Sequence, residues 1–340
     1  VAKSTSPVEG RLLAAVQAKQ EGKIQSQLAN RPLDSDVVDW VDTQAASLNY
    51  AIGRPGIPQG RLTVLVGKEK AGKSTVAYHL LQETQRRGGV AILVDAERRY
   101  SRDRAERIGI DHDRLIYMPG ETVQSTFQEL YTYVEVVRDE LPDQLVTIAW
   151  DSLAGTPTEA NLKGEIRPAE HARLVGHWFR VLLPLVARKR ITFVMVNQLR
   201  TKMDMGGGTY FSGGSSDAMI AERALDYHCS LKVHFTQVDK LGDKKKPTGI
   251  TTRADVRWNT VAPPFRKALV HINFLDGIDR DACAFEAAKD AGLVKQSTSW
   301  WEYPGYPKFQ GGHTKKWSEI LGGDEELRRL IAAAPLDWLP

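Results

Sequence analysis

The stretch Gly67-Lys68-Glu69-Lys70-Ala71-Gly72-Lys73-Ser74 decides the fold. It reads G-x-x-x-x-G-K-S, the form of a phosphate-binding loop. The apolar run 62–66 leads in as a buried strand, and helix-forming sequence over 75–86 leads out. The motif needs that strand–loop–helix setting. Its glycines let the backbone curl so that successive N–H groups point at phosphate oxygens. The helix that follows adds its positive N-terminal end. Lys73 can reach the β- and γ-phosphates, and Ser74 can ligate Mg²⁺. The stretch therefore points to a nucleoside triphosphate.

Three further apolar runs follow the same pattern. Residues 90–94 end in Asp95-Ala96-Glu97, 145–150 in Asp151-Ser152, and 191–196 in Asn197-Gln198. All are short, rich in β-branched residues and separated by helical segments, which predicts a parallel sheet covered on both faces. Ligands of open α/β sheets bind at the carboxyl ends of the strands. The sheet should thus deliver Lys73, Glu97, Asp151 and Gln198 to one edge. Beyond about residue 226 the pattern changes. Runs 227–235, 250–258 and 268–274 alternate more and have fewer helices between them, reading as an antiparallel extension. Residues 242–246 make its hairpin loop.

Composition narrows the classes. The chain has 340 residues, room for one large α/β core and small flanking modules. No apolar run is long enough for a membrane span, and no secretory signal opens the chain. Two widely separated cysteines, Cys229 and Cys283, lack metal-ligand spacing and suggest reduced thiols in a cytosolic protein. A net charge of +4 is too mild to argue nucleic-acid binding, so any basic footprint must be local.

At the N-terminus, a helical pattern from Pro7 carries Leu12, Leu13, Val16 and Ile24 on one side. It must pack on its own core or on another subunit, and periodicity does not choose. Residues 37–41 read as a short strand, and 47–52 as a capped helical turn before the loop 53–60. Toward the C-terminus, helix 281–291, the aromatic patch Trp300, Trp301 and Tyr303, and the charged helix 324–334 read as a small separate module.

The strand-end residues suggest chemistry. Asp151 is placed to hold Mg²⁺ directly or through water; capping the next helix is the plainer role. Glu97 can orient or deprotonate an attacking water, its alternative being a solvated charge beside Arg98 and Arg99. The Gln198 amide can donate to a γ-phosphate oxygen and lose that bond on hydrolysis, which makes a sensor. The glycine-rich loop 199–214 follows, with Arg200, Lys202, Met205, Tyr210 and Phe211 interleaved. Such side chains on a long loop suit a single-stranded nucleic acid better than a nucleotide lid. The loop 157–169, with Gly164, Glu165, Ile166 and Arg167, is weak evidence by composition and could be a turn.

These residues resemble the bacterial RecA recombinases and their phage-encoded relatives. The resemblance covers most of the chain. It rests on Leu48-Asn49-Tyr50-Ala51-Ile52-Gly53, the phosphate loop through Thr75, Val94-Asp95-Ala96-Glu97, Asp151-Ser152, Gly164-Glu165-Ile166, Val196-Asn197-Gln198-Leu199-Arg200 and Ala262-Pro263-Pro264-Phe265. It implies a RecA-like α/β ATPase core over 34–279, an N-terminal polymerisation module over 1–33 and a small α/β C-terminal module over 280–340. It also implies ATP and Mg²⁺ as ligands and helical filaments on single-stranded DNA, with ATP between protomers. Pairing with a homologous duplex, recombination, repair and the SOS response follow from it. Carried over, Gly67, Glu69, Lys70, Ala71, Gly72, Lys73, Ser74, Thr75 and Arg104 bind the nucleotide, and Ser74 and Asp151 the metal. Glu97 is the catalytic base, with Lys73 and Gln198 beside it. Gly164, Glu165, Ile166 and Arg167 fall in a first DNA loop. Arg173 and Arg180 face DNA from the next helix. Arg200, Lys202, Met205, Gly206, Gly207, Tyr210, Phe211 and Gly213 form the second loop. The N-terminal helix would dock on a neighbouring core. Lys308, Lys315 and Lys316 either offer duplex DNA a basic surface or form a solvated face. Single-strand-binding or mediator proteins would be further partners in the cytoplasm.

Departures from the family pattern bear on the chemistry. Two lysines that reach across the RecA interface to ATP read here as Trp258 and Thr260, and strand alternation would turn Arg257 to the other face. Slower hydrolysis, or another residue supplying the charge, is the expectation. Arg104 stands where RecA has an adenine-stacking tyrosine, and a guanidinium plane can also stack. The second loop is slightly shorter, and the acidic tail of RecA has no counterpart, so readier loading on duplex DNA is expected. A divergent, phage-type member is favoured over a housekeeping one. The alternatives are a ring-forming helicase motor of the same core class and a regulatory DNA-binding filament with little ATP turnover.

Overall fold

The computed structural model describes residues 12, 14–16, 19, 33, 36–165, 167, 169–201, 217–219, 221–243, 245–297, 300–303 and 308. Compact units divide between Asp36 and Val37. In the first, residues 12, 14–16 and 19 are helical, as the apolar spacing predicts. Residues 33 and 36 also belong to the first, and the elements below belong to the second.

That unit opens with strand β1 (Trp40–Val41), helix α1 (Ala46–Ile52) and strand β2 (Ile57–Pro58), β1 and β2 pairing antiparallel. Next come β3 (Leu62–Gly67), α2 (Lys73–Arg86), β4 (Val90–Asp95), α3 (Arg102–Ile108), β5 (Leu115–Met118), α4 (Val123–Glu140) and β6 (Val146–Asp151). The chain continues through α5 (Glu159–Leu162), α6 (Glu170–Arg188), β7 (Ile191–Thr201), β8 (Asp217–Met219), α7 (Glu222–His228), β9 (Leu231–Asp243), β10 (Lys246–Asn259), β11 (Lys267–Asn273) and β12 (Gly277–Ile278). Helix α8 (Arg280–Asp290) and the hairpin β13 (Lys295–Ser297) and β14 (Trp300–Glu302) follow.

The main sheet has the order β12-β11-β10-β9-β3-β7-β6-β4-β5, with β8 paired to β7. From β9 to β5 neighbouring strands are parallel; from β9 to β12 they are antiparallel. The apolar runs work as predicted because alternate residues feed two cores. Leu62, Val64 and Val66 join Ile92, Val94, Ile148 and Trp150 beneath Phe127 of α4 and Phe179 of α6. Leu65, Leu93 and Ala149 pack against Val76, Leu80 and Leu81 of α2 on the other face. Phe127 fixes the first core by an edge contact with Trp150 at 4.9 Å and a stack on Trp178 at 5.7 Å.

Four expectations need correction. The antiparallel extension begins one strand later, because β9 pairs in parallel with β3 and residues 227–228 are helical. Buried Lys232 and His234 mimic alternation in a strand covered on both faces. Burial, with Arg257 and Lys232 nearby, lowers the His234 pKa to about 3 and keeps it neutral. The run ending at Val196 continues as strand to Thr201 and pairs with β8, Leu199 opposite Met219, so the second loop springs from a two-stranded base. Helix α1 starts without a side-chain cap; the Ser47 hydroxyl donates instead to the Leu269 carbonyl at 2.7 Å. Finally, a register shift between Val256 and Trp258 breaks the alternation used for Arg257, and Arg257 and Trp258 are both exposed.

Candidate functional site

Sheet register assembles the site. Gly67 is paired with Gln198 across β3 and β7, and Asp95 with Asp151 across β4 and β6. The strand ends therefore stand level, as a ligand crevice of an open sheet requires.

Beyond Gly67 the chain curls tightly. A Cβ on Gly67 would sit 2.3 Å from the Phe235 carbonyl oxygen, and one on Gly72 2.3 Å from Cδ1 of Ile272. Gly72 also holds φ at +91°, where a side chain is strained. Helix α2 starts there with no side-chain cap, so its first-turn N–H groups are left for an anion. Lys73 Nζ donates to the carbonyls of Gly67 at 2.9 Å and Lys68 at 2.6 Å, which braces the loop. Burial lowers the Lys73 pKa, while Asp151, Glu97 and Glu69 oppose that shift.

Two cavities flank the loop. One, of about 300 Å³, is lined by Glu69, Lys73, Ser74, Glu97, Arg99, Asp151 and Gln198 among others. Glu97 is tightly held in it. Its Oε1 accepts from the Ser152 hydroxyl and from Gln198 Nε2 at 2.6 Å, and its Oε2 pairs with Arg99 Nη1 at 3.0 Å. A Cβ on Gly155 would fall 2.5 Å from Glu97 Cγ, so this glycine makes room for the carboxylate. The second cavity, about 360 Å³, sets Lys70, Ala71, Gly72 and Thr75 against Gln237, Lys240, Pro247, Ile250, Ile272 and Phe274. Arg104 lines both. Its Nη2 donates to Thr75 Oγ1 at 2.5 Å, and its buried Nε has no hydrogen-bond partner among the described residues.

Asp151 is the most perturbed carboxyl here. Burial raises its pKa to about 6, with Glu97 and Asp95 adding and the Ser74 hydrogen bond and Lys73 opposing. Ser74 and Asp151 thus set two hard oxygen donors side by side. Among the described residues no group of three His, Cys, Asp or Glu side chains could hold a metal. A two-oxygen foothold, completed by phosphate and water, suits Mg²⁺.

The structure brings Gly67, Glu69, Lys70, Ala71, Gly72, Lys73, Ser74, Thr75, Glu97, Arg104, Asp151 and Gln198 together, as the sequence reading expects. That reading passes over Ser152, Gly155 and Arg99, which hold or frame Glu97. It also passes over Asp95, whose carboxylate accepts from the backbone N–H of Arg99 at 3.0 Å and Tyr100 at 2.9 Å and from the Tyr117 hydroxyl at 3.1 Å. The DNA-loop residues are more scattered. Gly164, with φ +77°, has open space where a Cβ would be. Arg167 pairs with Glu165 at 2.5 Å and Glu170 at 3.5 Å. Short helix α5 occupies part of what composition reads as a turn. Arg173 and Arg180 are exposed two turns apart on one face of α6, opposite buried Val175, Phe179 and Leu182. Arg200 sits in β7 opposite Ala218. Its side chain, Ile166, and Lys202, Met205, Gly206, Gly207, Tyr210, Phe211 and Gly213 lie outside the described residues, as do Lys315 and Lys316. Lys308 is ion-paired with Glu302.

A mostly parallel sheet, a phosphate loop between its central strand and α2, and carboxylates at the neighbouring strand ends define a P-loop nucleoside triphosphatase. The chain belongs to the RecA family: residues 17–279 match the RecA N-terminal domain. Over 315 residues it is 31% identical to Protein RecA of Heliobacterium modesticaldum, covering 88% of each chain. It is 31% identical to Protein RecA of Chloroherpeton thalassium over 87% of this chain and 80% of that one. Protein RecA of Porphyromonas gingivalis is 30% identical, over 90% and 86% respectively.

Proposed function

We propose that this cleft hydrolyses ATP and that the γ-phosphate sets the chain's grip on single-stranded DNA through Gln198. As a RecA-family member the chain is a RecA-type recombinase and a DNA-dependent ATPase that uses ATP with Mg²⁺. It binds single- and double-stranded DNA and assembles as a filament.

The carrying observation is the placement of Gln198. Its amide donates to Glu97, it stands level with Gly67 of the phosphate loop, and its strand runs on to the base of the glycine-rich loop. A shift of this one side chain therefore registers both at the phosphate loop and at the base of the glycine-rich loop. In the cleft, the N–H groups at the start of α2 and the Lys73 ammonium hold the β- and γ-phosphates. Ser74 and Asp151 would hold Mg²⁺, which would supply neutralising charge to those phosphates. The base and ribose lie toward Arg104 and Phe274 in the second cavity, where a guanidinium plane and a ring can stack. Glu97 orients water and takes its proton. Water oxygen bonds to the γ-phosphorus as the bond to the β–γ bridging oxygen breaks, and ADP leaves with that electron pair.

Gly164 to Arg167, Arg173 and Arg180 and the loop beyond β7 form the DNA surface in this reading. Residues 1–33 serve polymerisation, and 280–340 form a C-terminal module. Single-strand-binding or mediator proteins, and a bacterial nucleoid or phage-infected cytoplasm, complete the proposal. Among the described residues no helix is long and apolar enough to cross a membrane.

The test measures ATP hydrolysis with and without saturating single-stranded DNA, alongside electron microscopy of the same mixtures. DNA-stimulated turnover and helical filaments are expected. A closed ring that unwinds duplex points to a helicase motor, and filaments without stimulated turnover point to a regulatory filament; either result refutes the proposal.

A further inference from the structure

Arg98 and Arg99 are neighbours with different surroundings. Arg98 faces Glu121 at 3.7 Å and does not line the nucleotide cleft. Arg99 lines the smaller cavity with Lys73, Ser74, Glu97, Asp151 and Gln198. Its backbone is fixed, since Arg99 N–H donates to buried Asp95 at 3.0 Å. Its side chain is 69% exposed and reaches Glu97 at 3.0 Å. A rigid root thus carries an exposed guanidinium beside the reacting centre.

Glu97 has both oxygens committed. Among its partners only Arg99 sits on Oε2, the oxygen with a lone pair to spare, so a water that reaches this oxygen competes with the guanidinium. Ser152 is fully buried just past β6, and Gln198 is half-buried within β7, so both are anchored by the sheet. Arg99 is the most exposed of the three and gives way at least cost. A guanidinium leaving a carboxylate inside this cavity finds its next anion in the phosphoryl oxygens, which its fork can bind in a bidentate way.

We propose that Arg99 is a catalytic cation supplied in cis: it moves from Glu97 to the γ-phosphoryl oxygens, freeing the base and neutralising the charge that develops there. This rests on the ATPase reading above. As water adds to phosphorus and the bridging oxygen departs with ADP, negative charge spreads over the γ-oxygens, and a fixed cation there acts where charge grows. On release of phosphate, Arg99 returns to Glu97.

The test compares Arg99→Ala and Arg99→Lys with the unmodified protein and with Arg98→Ala, which lies outside the cleft. With saturating single-stranded DNA, Arg99→Ala should lower kcat for ATP about 10–100-fold, with KM changed much less, because one aimed donor is worth about that much at a part-exposed site. Arg99→Lys should recover part of the loss, and Arg98→Ala should match the unmodified protein. Binding supplies a readout apart from turnover: ADP affinity should hold, while affinity for ADP with aluminium fluoride falls by a factor similar to kcat. Unchanged kcat and aluminium-fluoride affinity in Arg99→Ala would overturn the proposal, leaving Arg99 a surface ion pair. A raised kcat would overturn it too, making Arg99 a restraint on Glu97 alone. Absence of DNA-stimulated hydrolysis in the unmodified protein would overturn the ATPase reading itself, and this inference with it.

Discussion

Replacing Asp151 by Asn should make the nucleotide-free protein more stable and less able to hold Mg²⁺. Burial raises the Asp151 pKa from its ordinary 3.8 to about 6, and the Ser74 hydroxyl and Lys73 do not cancel that rise. Between those two values the folded chain holds a proton that the unfolded chain has lost. Stability therefore falls as pH rises through the window and levels off above it. At 1.36 kcal/mol per pH unit, the ionised carboxylate costs about 3 kcal/mol near neutral pH. Asn keeps an acceptor for the Ser74 hydroxyl and removes the buried charge. Urea unfolding without nucleotide should show Asp151→Asn more stable by up to about 3 kcal/mol near neutral pH, the gap closing toward about pH 4. Added Mg²⁺ and ATP should protect the unmodified protein strongly and the variant weakly. A variant no more stable near neutral pH, or a gap that does not change with pH, would refute the burial argument.

Other substitutions probe other parts of the cleft. Lys73→Ala removes the ammonium that braces Gly67 and Lys68 and should abolish ATP-dependent filaments; filaments with normal turnover would contradict its role. Gly155→Ala puts a methyl 2.5 Å from Glu97 Cγ and should lower kcat about tenfold or more with ATP affinity nearly kept, since a displaced base costs rate before binding. Steady-state kinetics separates the two effects. Trp258→Lys places a cation at an exposed position on β10 and should raise the ATPase rate. Because Arg99 supplies one cation already, the rise should be modest; no rise at all would show that a cation at position 258 does not reach the phosphates.

Much of this was legible in the sequence because β3, β4, β6 and β7 carry local signals: apolar runs that stop at polar residues. The phosphate loop, Glu97, Asp151 and Gln198 could all be placed from where those runs end. What was hidden depends on contacts between distant strands. Ser152 and Gly155 follow Asp151 in sequence, yet only the packing of β4 beside β6 shows that they hold and frame Glu97. Arg99 sits in a charged run that reads as solvent-facing, and it pairs inward. The wall of the second cavity, Gln237, Lys240, Pro247, Ile272 and Phe274, comes from strands far along the chain and has no motif. Strand β9 misleads for a different reason: Lys232 and His234 are polar but buried, one paired with Asp226 and the other kept neutral. The extension of β7 is masked because Leu199 is the single apolar residue from Asn197 to Thr201, and its partner β8 lies across the glycine-rich loop.

Coupling between nucleotide and DNA rests on one side chain, Gln198. Its most direct test is the affinity for single-stranded DNA of Gln198→Ala, measured with a non-hydrolysable ATP analogue and again with ADP at fixed salt, since phosphate contacts make the affinity salt-dependent. The unmodified protein should bind far more tightly with the analogue, and in Gln198→Ala the ratio should collapse toward one. A ratio equal to that of the unmodified protein would contradict the account.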